Sequence, residues 1–237
     1  MRTLGILGGM AWPSTLEAYR ALNEQVNARL GGHHSAPLLI WSGDFAQVEA
    51  HQSAGDWNAA GALLADAAAR LEAAGAQGLM LMSNTMHRVA DAIEARTSVP
   101  LLHLADATAQ RITADGVRRV GLLGTRYTME HDFYRGRLED HGLEVLVPPQ
   151  DGRETIHRLI YDELVHGHVR DASRQQALEL IGALEADGAQ GIVAGCTEIE
   201  LLVGPQHING AYYPTTALHV EAAVDWILAE DAHDRPR

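Results

Sequence analysis

Cys196 is the only cysteine in a chain of 237 residues. Its thiol can serve as an acid, a base or a nucleophile, but it cannot close an internal disulfide, and a reducing compartment is the natural setting. The residue follows an apolar run and opens Cys196-Thr197-Glu198, where a helix is expected to begin. A thiol at such an N-terminus is expected to have its pKa lowered by the helix dipole and free N–H groups, which populates the thiolate. A small buried residue is the other reading of a lone cysteine in this setting. Three more motifs end apolar runs in the same way: Gly8-Gly9-Met10, Ser83-Asn84-Thr85 and Gly124-Thr125. Ser, Asn and Thr cap helices, and their amide and hydroxyl groups can also hold a polar ligand. Gly8-Gly9 lacks the GxGxxG spacing of a dinucleotide loop and reads as a tight turn.

The chain repeats itself. LEAAGAQG at 71–78 matches LEADGAQG at 184–191 in seven of eight positions, at an offset of 113. GILGG at 5–9 pairs with GLLGT at 121–125, and Tyr19-Arg20 with Tyr134-Arg135, in the same order at nearly the same offset. Repetition of this kind implies one supersecondary unit used twice, and it makes Ser83 and Cys196 counterparts. Two side chains set on opposite faces of one carbon suit stereoinversion, in which a proton leaves one face and returns to the other.

Each half alternates strand and helix, which predicts two lobes built on parallel sheets with helices on both faces. Strands are expected at Leu4–Leu7, Leu38–Trp41, Leu79–Met82 and Leu101–His103, then near Arg119–Leu123, Glu144–Leu146 and Gly191–Ala194. Helices are expected from Ser14 to Leu30, from Gly61 to Ala74 closed by Gly75, just past Thr85, near 131–141 and 171–187, and from Thr216 to Ala229. The first lobe is assigned residues 1–104 and 209–237, the second 105–208, with the last helix packing back on the first lobe. The tail EDAHDRPR is expected to fray. Ligands in such sheets bind beyond the carboxyl ends of the strands, so the site is expected in the cleft between the lobes.

Composition narrows the chemistry. All 18 basic residues are arginine. Pyridoxal-phosphate enzymes and Walker-type nucleotide sites both depend on a lysine, so both classes are excluded or badly weakened. The thirteen histidines show no HExxH-like spacing; they read as surface residues, and no metal is expected. A net charge of −13 offers no basic stripe for nucleic acid. No apolar run is long enough for a membrane helix, and the opening MRTLGILGGMAWPST reads as a strand entering a loop rather than a secretion signal. A cytoplasmic protein is expected.

GILGGM at 5–10, SNTMH at 83–87, LLGTRYTM at 122–129 and GCTEI at 195–199 together resemble the motifs of the aspartate/glutamate racemases. The resemblance runs over nearly the whole chain. It implies two pseudo-symmetric lobes, no cofactor, a homodimer, a small amino-acid substrate, and two acid/base residues at the α-carbon. Cys196 would serve one face, that of the L-amino acid, and Ser83 the other, where the family's usual residue is cysteine. Asn84, Thr85, Thr125 and Thr197 would hold the α-carboxylate and amine, with Met10, Gln52 and Glu198 also contacting substrate. Some aspartate racemases use a lysine for the distal carboxylate; here His168 or Arg126 would have to serve. A single-cysteine decarboxylase of the arylmalonate type, a maleate-type isomerase and a non-catalytic amino-acid-binding relative are the competing readings.

Overall fold

The structure is a computed structural model and describes residues 1–229; the expected frayed tail lies outside the described residues. The strands are β1 (Leu4–Gly8), β2 (Leu38–Ser42), β3 (Gly78–Leu81), β4 (Leu101–Leu102), β5 (Arg119–Gly124), β6 (Glu144–Leu146), β7 (Gly191–Gly195) and β8 (Ala211–Pro214). The helices are α1 (Trp12–Leu30), α2 (Phe45–Ser53), α3 (Trp57–Ala73), α4 (Ala90–Arg96), α5 (Leu104–Ala114), α6 (Arg126–Glu130), α7 (Asp132–Asp140), α8 (Gln150–Asp162), α9 (Asp171–Ala186), α10 (Thr197–Leu202) and α11 (Thr215–Leu228). Short 3-10 turns occupy Thr85–Val89, Leu164–His166 and Pro205–His207.

The strands form two four-stranded sheets, ordered β2-β1-β3-β4 and β6-β5-β7-β8, with every strand pair parallel. The two orders are the same topology shifted by four strands, as the repeat requires. The chain divides into two compact units, 1–103 with 219–237, and 104–218. Residues 209–218, placed with the first lobe on sequence grounds, supply β8 to the second sheet and open α11.

In the first unit the strands alternate cleanly between two helix layers. Leu7, Leu79 and Leu81 pack with Leu64, Ala68 and Leu71 of α3 and Ile93 of α4. Leu4, Ile6 and Met80 face the other way, onto Leu22 and Val26 of α1 and Val220, Val224 and Ile227 of α11. Burying each such side chain contributes about 1.5–3 kcal/mol. The second unit gathers Val120, Leu122, Val193 and Ile199 with Tyr134 and Ile156 into one core.

The repeated octapeptide is the junction between helix and strand. Leu71 and Leu184 are buried, and Gly75 (φ 103°) and Gly188 (φ 96°) take the left-handed turn that ends each helix. The amide oxygens of Gln77 and Gln190 then accept from the backbone N–H groups of Thr3 and Arg118, at 2.8 and 2.9 Å, which clamps the entry of the neighbouring strand. At Gly78 a Cβ would lie 2.6 Å from the Trp226 ring, and at Gly191 2.8 Å from the Ala211 carbonyl oxygen. The two copies therefore keep the same residues for the same local job.

Candidate active site

In a sheet of order 2-1-3-4 the chain leaves its first strand in one direction and returns to the other side. The switch point lies between strands 1 and 3, where the loops after them part and leave a crevice. The four expected motifs are the loops at these two switch points: Gly8–Met10 follows β1 and Ser83–Thr85 follows β3, while Thr125 follows β5 and Cys196–Glu198 follows β7.

In the first unit the two strand ends are locked together. Met82 N–H donates to the Leu7 carbonyl at 2.9 Å, and Gly9 N–H donates to the buried Thr15 hydroxyl at 2.9 Å. Gly9 has φ 90°, and a Cβ there would sit 2.3 Å from the Gly43 carbonyl oxygen, so no larger residue fits this turn. Met10, Asn84 and Thr85 are buried around it, and Gln52 is buried on α2. Ser83 is half-buried, and its hydroxyl accepts from Met86 N–H at 3.3 Å, so it does act as a cap. The His87 ring donates from Nδ1 to the Ser83 carbonyl at 2.7 Å.

That histidine corrects the surface reading of this residue type. His87, His103 and His219 are all buried. The His87 ring centroid lies 4.5 Å from that of His103 and 5.9 Å from that of His219. His219 donates from Nε2 to the Leu102 carbonyl at 2.6 Å, leaving its buried Nδ1 without a hydrogen-bond partner. Burial pushes its pKa down to about 4, so the ring is neutral. Among the described residues no group of three or more His, Cys, Asp or Glu is arranged to hold a metal.

In the second unit Gly124 and Gly195 are paired in register, and a Cβ on Gly124 would come within 2.8 Å of the Gly195 oxygen. This close approach brings out Thr125 and Cys196 side by side. Thr125 is buried and caps α6, accepting from Thr128 N–H at 3.3 Å. Cys196, 7% exposed, donates its S–H to Glu198 Oε2 at 2.9 Å, and the Thr197 hydroxyl donates to the same oxygen at 2.8 Å. Arg126 is exposed beside Thr125, while His168 lies exposed past the Leu164–His166 turn.

The expectation of a thiol acidified by its helix is overturned. Burial raises the Cys196 pKa well above the usual thiol range, and the neighbouring Glu198 carboxylate raises it further by charge and by accepting the S–H. Backbone N–H groups of Glu198 and Ile199 pull the other way and are outweighed. The helix behind them, α10, is only six residues long, and its partial charge is small beside a full carboxylate at hydrogen-bond distance. The resting residue is a thiol whose proton already points at an acceptor.

Sequence reasoning had no role for His87 or Glu200, which the offset of 113 makes counterparts four residues beyond Ser83 and Cys196. The repeat could have singled them out as a pair.

Two α/β units share one strand order, and Ser83 and Cys196 follow the third strand of each. The comparisons with known proteins place the chain more closely. The Asp/Glu/hydantoin racemase family matches residues 7–223, and the chain belongs to that family. A candidate Asp/Glu racemase from Yersinia pestis is 50% identical, with a TM-score of 0.93 over 97% of this chain and 100% of the other. An aspartate racemase homologue from Pyrococcus horikoshii is 31% identical, with a TM-score of 0.83 over 96% of this chain and 99% of the other. The broad-specificity amino-acid racemase RacX of Bacillus subtilis is 25% identical over 138 residues, a match spanning 58% of this chain and 59% of that relative's length. No described helix is long and apolar enough to cross a membrane.

Proposed function

We propose that this chain is a cofactor-independent amino-acid racemase acting on aspartate, glutamate or both, with Cys196 and Ser83 serving the two faces of the α-carbon. The observation that carries the reading is the Cys196 S–H donated to Glu198 at 2.9 Å, in a chain whose repeat gives Cys196 a hydroxyl counterpart at Ser83. Glu198 takes the thiol proton, and the resulting thiolate removes the α-proton. The C–H electron pair moves into the substrate carboxylate as an enediolate, which hydrogen-bond donors of the strand-end loops would stabilise. A proton returned from the Ser83 side yields the mirror image; solvent reprotonates the serine, Glu198 releases its proton to solvent, and Cys196 is left as the thiol it was.

A hydroxyl is a far weaker acid than a thiol, so proton transfer on the Ser83 side is the slower of the two. Exchange of the α-proton therefore outpaces inversion. The family membership and the broad-specificity relative support a racemase that tolerates more than one side chain. The test is incubation with L- and D-aspartate and L- and D-glutamate in deuterated water, followed by NMR and chiral separation. Deuterium at the α-carbon with slower inversion is expected; no exchange with any of the four rejects the reading.

A further inference from the structure

Glu200 is a carboxylate among partners that are not cations. It is half-buried on α10, four residues past Cys196, and its Oε1 accepts from the backbone N–H of Thr216 in the first turn of α11 at 3.1 Å. The adjacent Thr215 hydroxyl donates to the Ala194 carbonyl at 2.8 Å. The start of α11 is thus fastened both to β7, which delivers Cys196, and to α10, which carries Glu198. The groups around Glu200 are Glu198 on its own helix, Tyr212 of β8, whose hydroxyl donates to the Val203 carbonyl, and Tyr134 of α7, whose hydroxyl donates to Thr108. The other charged groups on elements packed against α10 are engaged or exposed: Arg174 of α9 donates to the Leu202 carbonyl and pairs with Asp171, and His166 is exposed. Among the described residues no cation forms an ion pair with Glu200.

The repeat sets an ionisable residue at the same place in each unit. His87, the counterpart of Glu200, is buried four residues past Ser83 and meets His103, sixteen residues further on; Glu200 meets Thr216, also sixteen residues further on. An ionisable side chain is therefore built in behind each reactive position, imidazole on one side and carboxyl on the other.

We infer that Glu200 is a positioning residue for Cys196: it anchors the turn bearing the thiol and Glu198 to the start of α11, and its charge state, acting through Glu198, sets how readily the thiol gives up its proton. The inference rests on Cys196 being the working acid/base. Burial and the nearby Glu198 carboxylate lift the Glu200 pKa to about 7, so the residue changes charge near neutrality. Below that value the turn carries one negative charge fewer and the thiol ionises more easily; above it the added charge opposes the thiolate.

The test is the rate of Cys196 alkylation by iodoacetamide as a function of pH, read by mass spectrometry on the substrate-free protein. Wild type should give a broadened profile, because a second group titrates within it. Glu200→Gln, which keeps an oxygen for the Thr216 N–H, should sharpen the profile to a single ionisation and raise the rate above neutral pH about three- to tenfold. Carboxyl-carbon NMR should show one glutamate titrating near neutrality in wild type and missing from the variant. Superimposable alkylation profiles for two proteins with the same melting temperature would overturn the inference, as would the absence of that carboxyl signal. The thiol is read here without any amino acid being turned over. A protein that exchanges no amino-acid proton yet shows the expected profiles would lose the racemase reading alone, and a sulfur closed to the reagent in both proteins would end both.

Discussion

Replacing Glu198 by glutamine should make Cys196 markedly easier to ionise. The sulfur and Glu198 Oε2 are 2.9 Å apart. A thiolate facing a carboxylate at that distance costs about 6 kcal/mol at the effective dielectric of a partly solvated site. Glu198 is itself partly exposed, and halving the figure for solvent screening leaves about 3 kcal/mol, roughly a hundredfold in thiolate at fixed pH. Glutamine removes the repulsion and can offer the sulfur an N–H. Because the chain has a single cysteine, alkylation by iodoacetamide reports on this thiol alone. The midpoint of the rate–pH curve should fall, with a rise of roughly a hundredfold near neutrality. An unchanged curve in a folded Glu198→Gln protein would refute the idea that this carboxylate holds the thiol's proton.

Other consequences follow from the same geometry. His219, neutral and buried with its pKa depressed to about 4, contributes stability that is present above the unfolded value of 6.5 and lost as pH falls through that window. The loss is about 3 kcal/mol over the range. His219→Gln, whose amide can still donate to Leu102, should flatten this acid limb of the stability curve measured by urea unfolding; an unaltered limb would assign it to other groups. Gly9→Ala places a Cβ 2.3 Å from the Gly43 oxygen at a φ of 90°, so a stability loss of about 2 kcal/mol or more is expected, and a thermal melt matching wild type would contradict it. Ser83→Cys should raise the inversion rate at least tenfold toward the rate of exchange, checked by chiral separation, since a thiol is the stronger acid by about one and a half pKa units even against tyrosine and by far more against serine. No gain in inversion would remove Ser83 from the proton path.

The sheets were largely legible in the sequence because most of their strands are short apolar runs set between polar or glycine-containing stretches. Leu38 to Trp41, Glu144 to Leu146 and Gly191 to Ala194 lie within observed strands or match them outright. The octapeptide repeat carried the doubled topology. β8 escaped because Ala211–Pro214 is four residues ending in proline, with no apolar run to mark it. α2 and α8 were hidden in polar stretches, where the signal is a few buried positions such as Val48, Ile156 and Ile160.

The candidate site was legible as a set of strand ends and not as electrostatics. Cys196, Thr197 and Glu198 stood next to one another in the sequence, but whether the carboxylate points at the sulfur depends on side-chain direction, which spacing does not encode. The helix dipole alone predicts an acidified thiol, and burial together with the adjacent carboxylate reverses that direction. His87 closes the SNTMH run and Glu200 follows GCTEI directly, but neither spacing assigns the side chain a role. Their significance comes from burial, which only packing reveals.

The central claim is that the sulfur of Cys196 moves the α-proton, and deuterium incorporation tests it most directly. Wild-type protein incubated with aspartate or glutamate in deuterated water should place deuterium at the α-carbon, while a folded Cys196→Ala protein should place none. Exchange by Cys196→Ala at the wild-type rate would contradict the claim.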